Sequence, residues 1–294
     1  MRILITGASG MLGSALVAAL EGQGHDVVRL VRRTPRSARE RQWQPNGQED
    51  PNAFESADAV VHLAGESIAS GRWSAARKTA IRDSRLLGTR TVATSIAAAD
   101  VPPKVLISAS GSHYYGSRGS EVLTETSAPG SGFLSEVCQQ WEAETEPARQ
   151  AGVRVVRLRT TVVLSARGGA LGKMLLPFRM GVGGRIGSGE QWFSWIALDD
   201  YVRLVIFALQ NQIEGPVNAA APNPLTNAEF TRLLGKVLGR PTVFPLPAFA
   251  VRLIMGEMGE ELLLASQRVQ PAAATAAGFS FRFPELHRAL EHLL

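Results

Sequence analysis

The chain has 294 residues, 45% of them hydrophobic and 19% charged, a balance that fits a globular protein with a large core and excludes a disordered chain. Its single cysteine, Cys138, rules out an internal disulfide and any multi-cysteine metal site, and no apolar run reaches the roughly 18–20 residues of a membrane span. The net charge of +5 comes from scattered cations. The clusters at 29–41 and 72–90 lack the interleaved aromatics of a base-stacking platform, and basic groups around a phosphate-rich cofactor account for the excess at least as well.

Residues 1–6 are apolar and β-branched, the length of a buried strand, and break at once into Gly7-Ala8-Ser9-Gly10-Met11-Leu12-Gly13. Residues 14–20 then carry Ala and Leu at helical spacing. Strand, glycine turn and helix in this order form a phosphate cradle. Gly7 permits the turn, Gly10 admits a pyrophosphate to the backbone, and Gly13 lets helix and strand pack closely. The first helical N–H groups face the anion, so Ser9, Met11 and Leu12 are assigned to the cofactor together with the three glycines. A strand with no charged region before it and no cleavage site after it is not a signal peptide, and a cytoplasmic location is expected.

A second strand follows at 26–31. In a dinucleotide fold the tip of this strand meets the adenosine ribose, where an acidic residue accepts from the 2′-OH. Here the tip is Arg32-Arg33. Guanidinium groups are thus available for a 2′-phosphate, and NADP(H) is expected in preference to NAD(H). The polar stretch 34–56 reads as a loop with a short strand near Gln42-Trp43. Residues 57–65 read as a buried parallel strand ending in Leu63-Ala64-Gly65, which passes under the adenosine–ribose region where bulk is excluded. His62 within it reads as a packed, hydrogen-bonded histidine. A long helix is expected over 74–99, with Ser74 as its N-cap and Arg77, Lys78, Arg82 and Arg85 along its face.

The next strand, 105–110, runs into Gly111-Ser112-His113-Tyr114-Tyr115-Gly116. Hydroxyls at the C-terminal end of a parallel strand lie at the ligand crevice, which brings in Ser108 and Ser110. A helix over 135–149, a strand over 153–159 leading to 160–164, and a helix opened by Gly168-Gly169 follow. The glycine-rich stretch 181–189, flanked by Arg179 and Arg185, reads equally as backbone nests for an anionic substrate or as a flexible lid. Asp199 and Asp200 read as caps of a helix over 201–209 and not as metal ligands. Thr226-Asn227 caps a helix through Leu238, and a short strand lies within 241–247. Residues 248–267 are helical, with a Met/Leu stripe read as core. Pro284 opens a last amphipathic helix from a first-turn position. The β–α alternation through residue 165 makes the fold α/β, a Rossmann-type doubly wound parallel sheet. Residues 1–165 form its cofactor domain with 196–220 packing back on it, and 166–195 with 221–294 form a smaller substrate-side α/β region.

Several stretches together resemble the extended short-chain dehydrogenase/reductase superfamily, and within it the NAD-dependent epimerase/dehydratase-like, cell-division-inhibitor-like branch. They are the glycine turn, His62-Leu63-Ala64-Gly65-Glu66, Arg72-Trp73 with Ile81-Arg82-Asp83-Ser84-Arg85, Tyr114-Tyr115-Gly116, Trp141-Glu142, Gly168-Gly169-Ala170-Leu171, Gly187-Ser188-Gly189, and Trp195-Ile196 with Asp199-Asp200. Gly256-Glu257-Met258, Gln267-Arg268-Val269, Pro271 and Gly278-Phe279 resemble the small C-terminal domain of that branch. The resemblance covers essentially the whole chain. It implies cofactor contacts at the glycine turn, Arg32, Leu63, Ala64 and Arg85, with Val162 near the nicotinamide end.

The chain departs from the superfamily in one respect. Extended members use a Tyr-x-x-x-Lys pair on one helix face, where the ammonium lowers the phenol's pKa and holds the ribose. Counting back from Trp141-Glu142 puts Leu134 and Cys138 at those positions, and neither can do that work. The catalytic expectation therefore falls on Ser110, which would polarise a carbonyl or alcohol oxygen, and on Tyr114 or Tyr115 as replacement acid/base. Cys138 reads as a buried, inert thiol. The expected function is an NADP(H)-dependent epimerase or oxidoreductase acting on a small molecule, with a phosphate-bearing nucleotide sugar as the analogy. The alternative is a non-catalytic NADP(H)-binding redox sensor or regulator. No metal, nucleic acid or membrane partner is expected, and a homodimer is compatible with the chain.

Overall fold

The computed structural model describes residues 1–48 and 50–294. A seven-stranded, wholly parallel sheet is built from β1 (Arg2–Thr6), β2 (Asp26–Val31), β3 (Glu40–Gln42), β4 (Ala59–His62), β5 (Val105–Gly111), β6 (Arg154–Thr160) and β7 (Gly215–Ala219). Its order is β3-β2-β1-β4-β5-β6-β7. The order reverses between β1 and β4, and a crevice opens beyond their C-terminal ends at Thr6 and His62.

The strands are near-continuous apolar runs because both sheet faces are covered. Ile3, Ile5, Val27, Val61 and Ile107 point to one face, where they meet Leu16 and Leu20 of α1 (Met11–Gly22). Leu4, Val28, Val60 and Leu106 point to the other, against Val92 and Ile96 of α2 (Ala75–Ala97). The Ser74 side chain accepts from the Arg77 N–H and so caps α2 as expected. Next come α3 (Phe133–Ala143), α4 (Gly169–Arg179) and α5 (Leu198–Gln210). Tyr201, Leu204 and Val205 of α5 join the first face, so α5 and β7 belong to the sheet. A separate core unites α4 with α6 (Asn227–Leu238) and α8 (Leu286–Leu293) through Leu171, Leu175, Phe230, Leu234, Leu286 and Leu290. Helix α6 starts in a full capping box between Thr226 and Glu229.

Four expectations are corrected. The helix read over 135–149 stops at Ala143 and resumes as a short turn at Glu146–Gln150, where Pro147 has no N–H to continue the ladder. The helix read over 248–267 is broken at Gly256, whose φ is +60°. Its pieces are α7 (Ala248–Met255), a turn at Glu257–Gly259 and a π-helical turn at Glu260–Leu264. Much of the supposed core stripe is at the surface: in α7 only Val251 is buried. Residues 241–247 form no strand; they make two single bridges, Gly184 to Val243 and Ile186 to Leu246, and Pro284 lies outside α8.

Asp199 and Asp200 sit in the first turn of α5, and the N-cap is Ala197. The Asp200 carboxylate is fully buried and accepts from the Arg282 and Phe283 N–H groups, both at 2.8 Å. Arg203 of the same helix also donates to it at 2.8 Å, but the two backbone donors come from the far end of the chain, which no local pattern reveals. Replacing Asp200 with Ala leaves those donors unpaired, and the expected loss is about 2–4 kcal/mol of stability, read as a lower urea midpoint with unchanged slope.

Candidate functional site

At the crevice, two glycines of the turn are required by the protein itself. Gly7 has φ +67°, and a Cβ there would lie 2.7 Å from the Leu63 carbonyl carbon. A Cβ on Gly13 would lie 2.2 Å from the Gly7 oxygen. Gly10 differs: its nearest protein atom would be 3.4 Å away and the residue is exposed, so its bare side faces open space. As N-cap of α1, Gly10 offers no side chain to the first helical N–H groups, and Met11, Leu12 and Gly13 keep theirs for an anion. Ser9 is exposed beside them, and Met11 reaches across to Gly168 and Gly169 at the start of α4.

The floor of the crevice is fixed by Thr6. Its hydroxyl oxygen accepts from the Leu63 and Ala64 N–H groups at 3.1 and 3.2 Å, so its own proton goes to His62 Nδ1, 2.7 Å away. Burial pushes the His62 pKa down to about 3. A neutral histidine clamping β1 to β4 matches the packed reading. Gly65 is exposed at the end of this floor, and Arg85 lies against it. The Arg85 guanidinium donates to the Glu66 and Ile81 carbonyls at 3.0 and 2.9 Å and stacks over Trp141. Burial lowers its pKa from the ordinary arginine value. At the tip of β2, Arg33 is held by Glu40 in a two-pronged pair at 2.8 and 2.6 Å. That hydrogen bonding, with the Arg36 N–H, holds the Glu40 carboxyl down at about 2. Arg32 is exposed and makes no ion pair among the described residues.

The hydroxyl candidates lie elsewhere. Ser108 is buried in β5, its hydroxyl turned to the Ala109 carbonyl. Ser110 donates to Glu142 Oε1 at 2.7 Å. Glu142 in turn takes two hydrogen bonds from Arg159, each 2.8 Å, with side-chain exposures of 7% and 5%. Arg159 also donates to the Tyr115 phenol, which donates to Asn218 Oδ1 at 2.7 Å. Burial opposes the charge on Arg159, but its hydrogen bonds to Glu142 outweigh that, raise its pKa and keep the guanidinium charged. The Tyr114 ring lies flat on that guanidinium, 3.4 Å from its centroid. Ser110 and Tyr115, both expected as catalytic groups, thus belong to one buried network, and burial raises the Tyr115 pKa. Val162 is half-buried on a short strand (Val162–Leu164) beside Trp195–Ala197.

A residue that the sequence reading passed over faces the open side of β5. His113 lines a cleft of about 110 Å³ together with Ser117, Ser131, Glu260, Glu261 and Gln267. Its imidazole lies beside Gly111, as does the Cys138 thiol: a Cβ on Gly111 would stand 3.7 Å from His113 Nδ1 and 3.4 Å from the sulfur. Burial, then the charge of Arg85, pushes His113 down to about 4, and burial pushes the Cys138 thiol up to about 12. Glu261 closes the cleft by accepting from the Phe133 and Leu134 N–H groups at 2.8 and 2.9 Å, at the first turn of α3. Burial raises its pKa. The glycine-rich 181–189 stretch is no free lid, since a Cβ on Gly184 would meet the Phe244 oxygen at 1.9 Å. Among the described residues no group of His, Cys, Asp and Glu is placed to hold a metal.

Comparison with known proteins places this geometry. Residues 3–220 match the model of the NAD dependent epimerase/dehydratase family, and 246–293 match a domain of unknown function, DUF1731. Epimerase family protein MT2273 of Mycobacterium tuberculosis is 47% identical over 290 residues, covering 98% of this chain and 96% of that one. The crystal structure of human epimerase family protein SDR39U1 with NADPH superposes with a TM-score of 0.93 at 36% identity, covering 100% and 99% of the two chains. A nucleoside-diphosphate sugar epimerase from Corynebacterium glutamicum superposes at 0.84 with 40% identity, over 100% of this chain and 58% of the other.

Buried His62 and half-buried His113 set a pH dependence. Both are neutral in the fold and have pKa values lowered from 6.5, so below that value the unfolded chain binds protons that the folded chain does not. Their contribution is complete above pH 6.5 and erodes as pH falls towards the folded values. Thermal melts are expected to fall between pH 6.5 and 5, and His113→Gln is expected to flatten that slope. Equal slopes for the two proteins contradict the assignment.

Proposed function

The chain belongs to the NAD dependent epimerase/dehydratase family, and we propose that it binds NADP(H) along the crevice and turns over a small polar substrate of the nucleotide-sugar class. The observation that carries the cofactor choice is the tip of β2. Glu40, beside that tip, is held by Arg33, while Arg32 is exposed and makes no ion pair among the described residues. Among the described residues the carboxylate beside the tip is thus engaged by Arg33, and an exposed guanidinium is available for a 2′-phosphate. The open side of Gly10 and the uncapped first turn of α1 suit a pyrophosphate. Leu63, Ala64, Gly65 and Arg85 line the crevice beyond it. The human relative's structure holds NADPH, and the Corynebacterium relative is described as a sugar-nucleotide epimerase.

When bound, the nicotinamide would supply hydride transfer. The proton is handled by this chain's own residues. With Ser110 and Tyr115 committed to Glu142 and Asn218, His113 is the group that faces both the cleft and the crevice side of Gly111. Its imidazole takes a proton from a substrate hydroxyl and returns it; burial and Arg85 disfavour the imidazolium, so they oppose the uptake and favour the return. Cys138 stays a thiol and takes no part. Gln267, fixed by Ser112 and the Gly116 carbonyl, positions the cleft wall.

Titration calorimetry is expected to show NADPH binding more tightly than NADH. Arg32→Ala should weaken NADPH by about tenfold or more while leaving NADH unchanged, and NADH binding as tightly as NADPH overturns the cofactor reading. In turnover of a panel of UDP-hexoses, His113→Gln is expected to lower kcat by about 10²–10⁴ without changing NADPH affinity. A variant with full turnover removes His113 from the chemistry.

A further inference from the structure

The exposed large apolar side chains are concentrated in one part of the chain. Leu176, Met180, Val182, Val243, Phe244, Leu246, Phe249, Leu253 and Ile254 all lie between residues 176 and 254, and Phe249 and Leu253 are 71% and 73% exposed. Spatially they form a strip. The Arg240 guanidinium donates to the Arg179 carbonyl, Gly181 packs on Pro241, and single bridges join Gly184 to Val243 and Ile186 to Leu246. Helix α7 continues directly from that edge with Phe249, Leu253 and Ile254 outward. An apolar surface of this extent marks an interaction site.

The charge of the same segments identifies the partner. Residues 166–189 and 230–256 contain Arg167, Lys173, Arg179, Arg185, Arg232, Lys236, Arg240 and Arg252, and not one Asp or Glu. All eight cations are exposed, and among the described residues only Arg252 has an ion-pair partner, Glu260. A second copy of the chain would set cations against cations across a two-fold axis. A nucleic acid would use the cations and leave the aliphatic side chains wet. The apolar side chains are mostly exposed, which suits insertion between lipid headgroups better than burial of a peptide in a groove. We propose that this strip docks the protein on an anionic lipid surface, with Phe244, Phe249, Leu253 and Ile254 entering the headgroup layer and Arg179, Arg185 and Arg240 facing the acidic headgroups. This is peripheral docking, with no spanning segment: no helix among the described residues is long and apolar enough to cross a membrane. It replaces the expectation of no membrane partner, which rested on the absence of such a run.

The test is sedimentation of the full chain with vesicles of phosphatidylcholine alone or mixed with phosphatidylglycerol. Binding is expected to the mixed vesicles, to be weak on phosphatidylcholine, and to fall as salt rises. A Phe249→Ser, Leu253→Ser double variant and an Arg240→Glu variant should each bind about tenfold more weakly. Both should keep NADPH affinity, since none of the three substituted residues is among those assigned to the crevice, and that measurement reports intact folding. Absence of binding to the mixed vesicles by the unmodified protein overturns the proposal. So does a dimer in sedimentation equilibrium that the same two variants dissolve, which assigns the strip to a second copy.

Discussion

An ion pair sealed inside the protein governs the arrangement of the candidate site. Taking Arg159 and Glu142 out of water costs several kcal/mol for each ion, and the pair is tolerable only if every remaining donor and acceptor is satisfied. The structure meets that demand with Ser110 from β5, the Tyr115 phenol, the Glu125 carbonyl and the flat face of Tyr114. With the ion pair itself, these groups come from β5, the turn after it, the loop at Glu125, α3 and β6, so one electrostatic requirement fixes the relative positions of five pieces of chain. It also consumes the hydroxyls that stand at the usual place for chemistry. What is left facing the cleft is the imidazole of His113, with the buried Cys138 thiol behind it against Gly111.

The C-terminal part of the chain completes this arrangement. It reaches back through Asp200, which holds the backbone at 282–283, through Gln267 on Ser112, and through Glu261 on the first turn of α3. Lys78 binds Glu257 with two hydrogen bonds and lies over Phe133, so α2 is drawn in as well. One side of the C-terminal region is thus dense with satisfied polar contacts. Its opposite side, along α7 and the 240–246 edge, carries apolar side chains and uncompensated cations. The polarity of the region follows from where its carboxylates are placed: Glu260 and Glu261 line the cleft, Glu257 pairs with Lys78, and none lies within 230–256.

Local physics was legible in the residues. The strand–glycine–helix unit, the Ser74 cap, the Thr226 capping box and the alternation of strands and helices each depend on a few adjacent side chains, and each was found where expected. The neutral, packed His62 was legible because an imidazole inside an apolar strand has few alternatives. The misreadings have a different origin. That Ser110 turns to Glu142 and not to the crevice depends on a partner 32 residues away, and that Asp200 serves residues 282–283 depends on one over 80 residues away. The Met/Leu content of 248–267 has helical spacing, but spacing alone does not say whether anything covers the apolar face. His113 went unnoticed because a single histidine in a turn carries no signal until Arg85 and Cys138 are brought beside it.

The seating of Glu261 on the Phe133 and Leu134 N–H groups bears on how the protein is made. On the ribosome, the strands through β6 emerge while the first turn of α3 still has no partner for these donors, and the residues that supply one are about 130 positions downstream. Contacts of such separation form late and slow the final approach to the native state. The nascent sheet therefore passes through an interval in which its ligand crevice is already shaped but its substrate side is unfinished. A dinucleotide present in that interval would bind a half-built protein and steady it, so cofactor supply during synthesis becomes a determinant of how much folded protein accumulates.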